Sequence, residues 1–163
     1  MCHRSRSYGG SRRSISLRAL ILAPFESRQL LRLSPHLDLV HHSWLETRKL
    51  TAPDELSAEL NAGRFAVLVV EADFVFEETI AAAADLRLIG VCRGSINGVD
   101  VESATERGVL VVNTPGRNAQ AVAEHALGLM LALARRVPFA HEYVRSGGWQ
   151  NPMEPYVSMR GVE

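Results

Sequence analysis

Apolar and polar positions fall into blocks from Leu17 onward. Leu17 to Ala23 (LRALILA) is a near-continuous apolar run that reads as a buried strand, and Pro24 ends it. Glu26 to Leu33 is short and compatible with a helix, and Leu37 to His41 suits a second strand. Thr51-Ala52-Pro53-Asp54 has capping-box spacing with proline just inside a helix start; the helix should run to about Asn61 and stop at Gly63. Ala66 to Val70 (AVLVV) is rich in β-branched residues and predicts a strand. Glu77 to Ala84 is a run of good helix formers, and Arg87 to Cys92 (RLIGVC) is the next strand. Asp100 is placed to cap a helix from Val101 to Arg107, with Gly108 as its left-handed C-terminal residue; Val109 to Val112 then forms a strand. Strands that alternate with helices in this way define an α/β domain with a parallel sheet. Their apolar character calls for helices on both faces of that sheet.

The alternation stops after Pro115. Asn118 is placed to cap a long helix from Ala119 to Arg135, whose apolar residues cover far more than one stripe. Such a helix is expected to be buried on most sides, and the rest of the chain is too short to bury it, so another domain or a second subunit should cover it. Pro138 starts a last helix to about Arg145, closed by Gly147-Gly148; no regular element is expected from Trp149 to Glu163. The expected organisation is a disordered basic tail at residues 1–14, an α/β domain at 15–112, and a further segment at 113–163.

Composition narrows the function classes. Apolar residues make up 47% of the chain, enough for a packed core. Lys+Arg and Asp+Glu both number 18, so no overall field draws the chain to nucleic acid or an anionic membrane. No stretch reaches the roughly 20 apolar residues of a membrane span. The two cysteines, Cys2 and Cys92, are too few for a disulfide framework and fit a reducing, cytoplasmic compartment. Cys92 reads as a small buried residue rather than a nucleophile. The start, with Arg4, Arg6, Arg12 and Arg13 and no acid, reads as a solvated tail more than as a transit peptide.

Candidate chemistry lies at strand ends. Ligands of open α/β sheets sit outside the carboxyl ends of the strands. Arg93-Gly94-Ser95-Ile96-Asn97-Gly98 lies just past such an end. Its glycines allow close backbone approach, and consecutive N–H groups in a turn make an anion-binding nest; a plain strand-to-helix turn is the alternative. Glu71 and Asp73 follow the AVLVV strand and either line the same cleft or form a solvated strand end. Asn113, Thr114 and Pro115 read as a hinge rather than as catalysts, and Glu124-His125 as a structural pair on a buried helix more than as an acid–base couple. His41-His42 is too isolated for a metal site, and no metal site is expected. A dinucleotide fingerprint, G-x-G-x-x-G, occurs nowhere in the sequence.

The stretch LRLIGVCRGSINGVDVESATERGVLVVNTPGRNAQAVAEHALGLMLALARRVPFAHEYVRSGGW, from Leu86 to Trp149, resembles the D-isomer-specific 2-hydroxyacid dehydrogenases, particularly their phosphoglycerate-dehydrogenase-like members. The carrying motifs are VD-x-x-x-A-x-x-RG, NTPG-x-N and VAEH followed by an apolar helix. The resemblance extends over about Leu17 to Glu163 and is densest from Ala66. It implies a flavodoxin-like substrate domain, then a crossing near NTPG into the long helical arm of a Rossmann domain, truncated here. It implies oxidation or reduction of the CH–OH group of D-2-hydroxyacids with NAD or NADP, and a homodimer formed through helix 119–135. It implies that Gly94 and Ser95 hold the carboxylate of a small 2-hydroxy or 2-oxo acid, with Arg93 and Asn97 in support, and that Val122 approaches the nicotinamide. This chain departs from the family pattern at Gly98, where the common loop is longer and has Asn. It also lacks the His-x-Pro context associated with the family's acid–base residue, so no catalytic residue is assigned and the chain by itself is expected to be inactive. The other reading is a non-catalytic module that binds a 2-oxo acid or dimerises.

Overall fold

A computed structural model describes the chain at residues 6–8 and 17–148. The chain divides into two units, residues 1–115 and 116–163. In the first, strands β1 (Arg6–Tyr8), β2 (Leu17–Ile21), β3 (Leu37–His41), β4 (Val67–Val70), β5 (Leu88–Val91) and β6 (Leu110–Asn113) form one sheet in the order β1-β3-β2-β4-β5-β6. Strands β2 to β6 are all parallel, and β1 pairs antiparallel with β3. Within the parallel set the first strand lies between the second and the third, which is the flavodoxin-like order. Its topological switch point falls between the carboxyl ends of β2 and β4.

Side chains alternate across the sheet, as strand geometry requires. Leu20, Leu68, Val70, Ile89 and Val91 face α3 (Pro53–Gly63), α4 (Glu77–Ala82) and α5 (Val101–Glu106), meeting Leu56, Leu60, Ile80 and Ala104. Ala19, Ile21 and Leu39 face the other way and pack on Leu30 of α1 (Ser27–Leu33), with Val67 and Val69 beside them. Each fully buried leucine or isoleucine contributes about 1.5–3 kcal/mol by leaving water. The expectation of helices on both faces is met only in part. On β6, Leu110 and Val112 remain exposed, because α1 is short and packs over β2 and β3.

Local chemistry explains most element ends. Asp100 accepts a 2.9 Å hydrogen bond from Ser103 N–H and starts α5, and Gly108, at φ +67°, ends it. At α3 two expectations fail. Ala52 occupies the N-cap, while the Thr51 N–H turns to Asp73 Oδ1. Gly63 is the last helical residue, and Arg64 takes the left-handed position at φ +50°. A Cβ on Gly63 would run into the Phe65 ring, so this glycine serves close packing and its neighbour accepts the strained backbone. A short helix, α2 (Trp44–Thr47), was not expected; Ser43 caps it through its side chain. The tail also differs from expectation. Arg6–Tyr8 lies as β1 along β3, on the edge that β3 turns away from β2. The remainder of the tail, and residues 149–163, lie outside the described residues.

The second unit consists, among the described residues, of α6 (Ala119–Ala134) and α7 (Val137–Arg145). Asn118 stands at the N-cap of α6 without a side-chain capping bond. The apolar residues of this helix stay uncovered among the described residues, in keeping with the expectation that this chain is too short to bury them: Leu133 of α6 is 78% exposed, and Leu127, Leu129, Met130 and Leu131 are exposed with it.

One ion pair ties the end of β3 to α3. His42 Nε2 lies 3.2 Å from Glu59 Oε1. The hydrogen bond to the Glu59 carboxylate holds the His42 pKa above the ordinary 6.5, against a smaller opposing effect of partial burial. A raised pKa in the folded state contributes stability that is complete below 6.5 and is lost as pH rises through the folded value. Urea midpoints should therefore fall as pH climbs above about 6.5, modestly because the pair is one-third exposed, and Glu59→Gln should abolish that fall. A wild-type minus E59Q difference that is flat with pH contradicts this assignment.

Candidate functional site

The segment after β5 is clamped at both flanks. On the β4 side, Cys92 N–H donates to Val70 O at 2.8 Å, continuing the ladder one step past the strand. Further on, Val75 N–H donates to Gly98 O at 2.8 Å and Asp100 N–H to Val75 O at 2.9 Å, a parallel bridge between Val75 and Val99. On the β6 side, Thr114 N–H donates to Arg93 O at 3.0 Å, and Asn113 Nδ2 to Gly94 O at 2.8 Å.

These last two bonds orient the loop. A trans peptide sets its N–H opposite its C=O, and no peptide in the described chain is cis. With the carbonyls of Arg93 and Gly94 drawn toward β6, the N–H groups of Gly94 and Ser95 point away from β6. Because β5 lies between β6 and β4, that is the direction of β4 and the switch point. Among the described residues no acceptor takes up either N–H. Two unclaimed amide donors with an arginine beside them suit a carboxylate.

Arg93, Gly94, Ser95 and Asn97 are all exposed. Ser95 Oγ accepts the backbone N–H of Asn97 at 3.3 Å, so the Ser95 side chain shapes the turn as well as lining it. Neither Gly94 nor Gly98 has positive φ, so the loop is not a nest that alternates handedness. Cys92, expected to be buried, is half-buried where the chain bends away from the sheet. Val122 belongs to the second unit and is 56% exposed on the first turn of α6. Glu124 accepts from Gln120 Nε2 at 2.8 Å, one helical turn away, rather than pairing with His125 as expected. His41 and His42 turn to different partners, Ala23 O and Glu59.

The ends of the neighbouring strands complete the edge. Asp73 is 5% exposed; its Oδ1 accepts the Thr51 N–H at 2.8 Å, and its Oδ2 meets no donor among the described residues. It is therefore not the solvated strand end that was one of its two readings. Trp44 Nε1–H donates to Glu71 Oε2 at 3.2 Å. Asn113, Thr114 and Trp44 are the site residues that sequence reasoning missed. Their partners lie 19 to 27 positions away or across β5 and β6, where no local periodicity reports them.

A dinucleotide would need a strand, a glycine turn and a helix N-terminus in succession to cradle its pyrophosphate. The described residues of the second unit are two helices and their connections, and the first unit has no turn with the glycine spacing. The described residues do not supply that succession.

Asn113 provides a test of the clamp. A neutral hydrogen bond contributes about 1 kcal/mol, or roughly fivefold in an opening equilibrium. Asn113→Ala should shift the Gly94 and Ser95 amide resonances and speed hydrogen exchange of the Thr114 amide by up to about fivefold. Unchanged exchange and unchanged shifts would show that Asn113 does not hold the loop.

The family model for the catalytic domain of D-isomer specific 2-hydroxyacid dehydrogenases matches residues 25–158. A protein named as a 2-hydroxyacid dehydrogenase, YoaD of Bacillus subtilis strain 168, is 34% identical over 150 residues, covering 91% of this chain and 44% of the relative. A D-3-phosphoglycerate dehydrogenase of Archaeoglobus fulgidus is 33% identical over 126 residues, 77% of this chain and 24% of the relative. The NAD+-bound crystal structure of 3-phosphoglycerate dehydrogenase from Entamoeba histolytica shares the fold, with a TM-score of 0.60 at 20% identity, over 74% of this chain and 40% of that one. The chain thus spans less than half the length of each of these relatives. With most of its residues matched by the family model, the chain belongs to the D-isomer specific 2-hydroxyacid dehydrogenase family.

Proposed function

We propose that this chain supplies the substrate-carboxylate site of an NAD- or NADP-dependent oxidoreductase acting on the CH–OH group of small D-2-hydroxyacids. The observation that carries the reading is the direction of the Gly94 and Ser95 amides, fixed by the Thr114 and Asn113 bonds. Gly94 and Ser95 hold the acid's carboxylate by their N–H groups. Arg93 supplies the neutralising charge, and Asn97 supports the turn against Ser95. Charge-assisted bonds of this kind are stronger than neutral ones, which suits recognition of a small acid with few other handles.

The cofactor enters this reading through family membership. Bound, it would accept or deliver the hydride, and Val122 is the residue of this chain assigned to face the nicotinamide. The chain's own part is to bind and orient the acid, so the 163-residue polypeptide by itself carries out no hydride transfer. The exposed apolar residues of α6 support a homodimer through helix 119–135. No helix among the described residues is long and apolar enough to cross a membrane, and cysteine usage supports placement in the cytoplasm. The non-catalytic reading shares the same amides and the same helix, and it differs only in whether hydride transfer ever follows binding.

Two measurements on the purified chain test the assignment. Glyoxylate or hydroxypyruvate should shift the Gly94 and Ser95 amide resonances, and the NADH absorbance should stay constant when NADH is mixed with either acid. Absence of amide shifts removes the substrate site from this loop, and NADH consumption refutes the inactivity of the chain.

A further inference from the structure

The substrate-site reading leaves unused the carboxylate on the next strand. Glu71 directly follows Val70, which is in register with Val91, and Cys92 and Arg93 follow Val91. The chains of β4 and β5 therefore leave the sheet side by side, about 4.8 Å apart. Glu71 stands on the flank toward which the Gly94 and Ser95 amides point. It is half-buried, and its position is held. Trp44 donates its indole N–H to Glu71 Oε2 at 3.2 Å. Trp44 is the first residue of α2, whose cap Ser43 is buried and accepts from Leu45 N–H. Strands β3 and β4, which lead to these two residues, flank β2 on either side. The Trp44–Glu71 bond thus spans the exit of β2, where strand order reverses and the crevice of such a sheet opens.

We propose that Glu71, positioned by Trp44, is a specificity-determining residue: it admits 2-oxo and 2-hydroxy acids whose tail is neutral or hydroxyl-bearing and turns away those with a second anionic group, whether phosphate ester or carboxylate. The inference rests on the carboxylate-site reading above. An acid whose carboxylate lies on the Gly94 and Ser95 amides carries its tail toward the β4 flank. A second anion there meets the Glu71 carboxylate, and like charges within roughly 8 Å of each other in a partly buried site repel by enough for tenfold or more in affinity. A hydroxyl in the same place can donate to a carboxylate. The Archaeoglobus relative is named for a phosphorylated substrate; on this account the present chain parts from it in substrate class despite the sequence likeness.

The experiment is a titration of the 163-residue chain, followed by the Gly94 and Ser95 amides and by the Trp44 indole N–H resonance. The probes are glyoxylate and hydroxypyruvate on one side, oxaloacetate and 3-phosphohydroxypyruvate on the other. The two monoanions should bind at least tenfold more tightly than the two acids with a second anionic group. Glu71→Gln, which keeps an oxygen for Trp44 but removes the charge, should cut that ratio several-fold, chiefly by strengthening the two acids with a second anionic group. Glu71→Lys, as a second variant, should invert it. Equal binding of all four acids by the wild-type chain, or a ratio unchanged in both variants, overturns the role of Glu71 while the carboxylate site stands. Failure of every acid to shift Gly94 or Ser95 overturns the carboxylate site and this inference with it.

Discussion

The hydrogen bonds from Thr114 N–H to Arg93 O and from Asn113 Nδ2 to Gly94 O set the direction of the backbone on which the candidate site depends. Peptide planarity converts the anchoring of two carbonyls into the aiming of two amides. Parallel pairing makes this possible. Strands β4, β5 and β6 all end at the same edge, so side chains and backbone just past β6 can reach the chain just past β5. An antiparallel neighbour would have placed its start there instead, with different residues and the opposite run of donors.

That constraint separates what was legible in the sequence from what was not. Apolar runs such as AVLVV and RLIGVC, and stop signals such as Gly108, are local, so strands β2 to β6 and helices α1 and α3 to α7 could be read within a few residues. Helix α2 is too short for any periodicity, and it shows only in its cap, Ser43. At Gly63 the glycine signal was real but its cause was not local: the Phe65 ring excludes a Cβ there, and Arg64 makes the left-handed turn. The candidate loop was found from its place after a strand and from family resemblance. Its clamps were not found, because Asn113 and Thr114 read equally well as a hinge until the β5–β6 register is known. Glu71 was visible as a strand-end acid; its bond to Trp44, across the exit of β2, was not.

Apolar surface stays uncovered in two places, against expectation only in the first. Leu110 and Val112 stay exposed on β6, and the apolar residues of α6 stay exposed in the second unit. Exposed apolar clusters of this kind mark surfaces that associate. The α/β unit nonetheless holds a contiguous core on the α3–α4–α5 face of its sheet, which is the face that fixes β4 and β5 and hence the two strand ends on which Glu71 and Arg93 stand.

The most direct test of the central claim is a crystal structure of the chain grown with oxamate, an unreactive 2-oxo acid analogue. The account predicts the oxamate carboxylate within hydrogen-bond distance of the Gly94 and Ser95 amide nitrogens, with the Thr114–Arg93 and Asn113–Gly94 bonds intact. Oxamate bound at another strand end, or Gly94 and Ser95 amides turned toward β6, would contradict it.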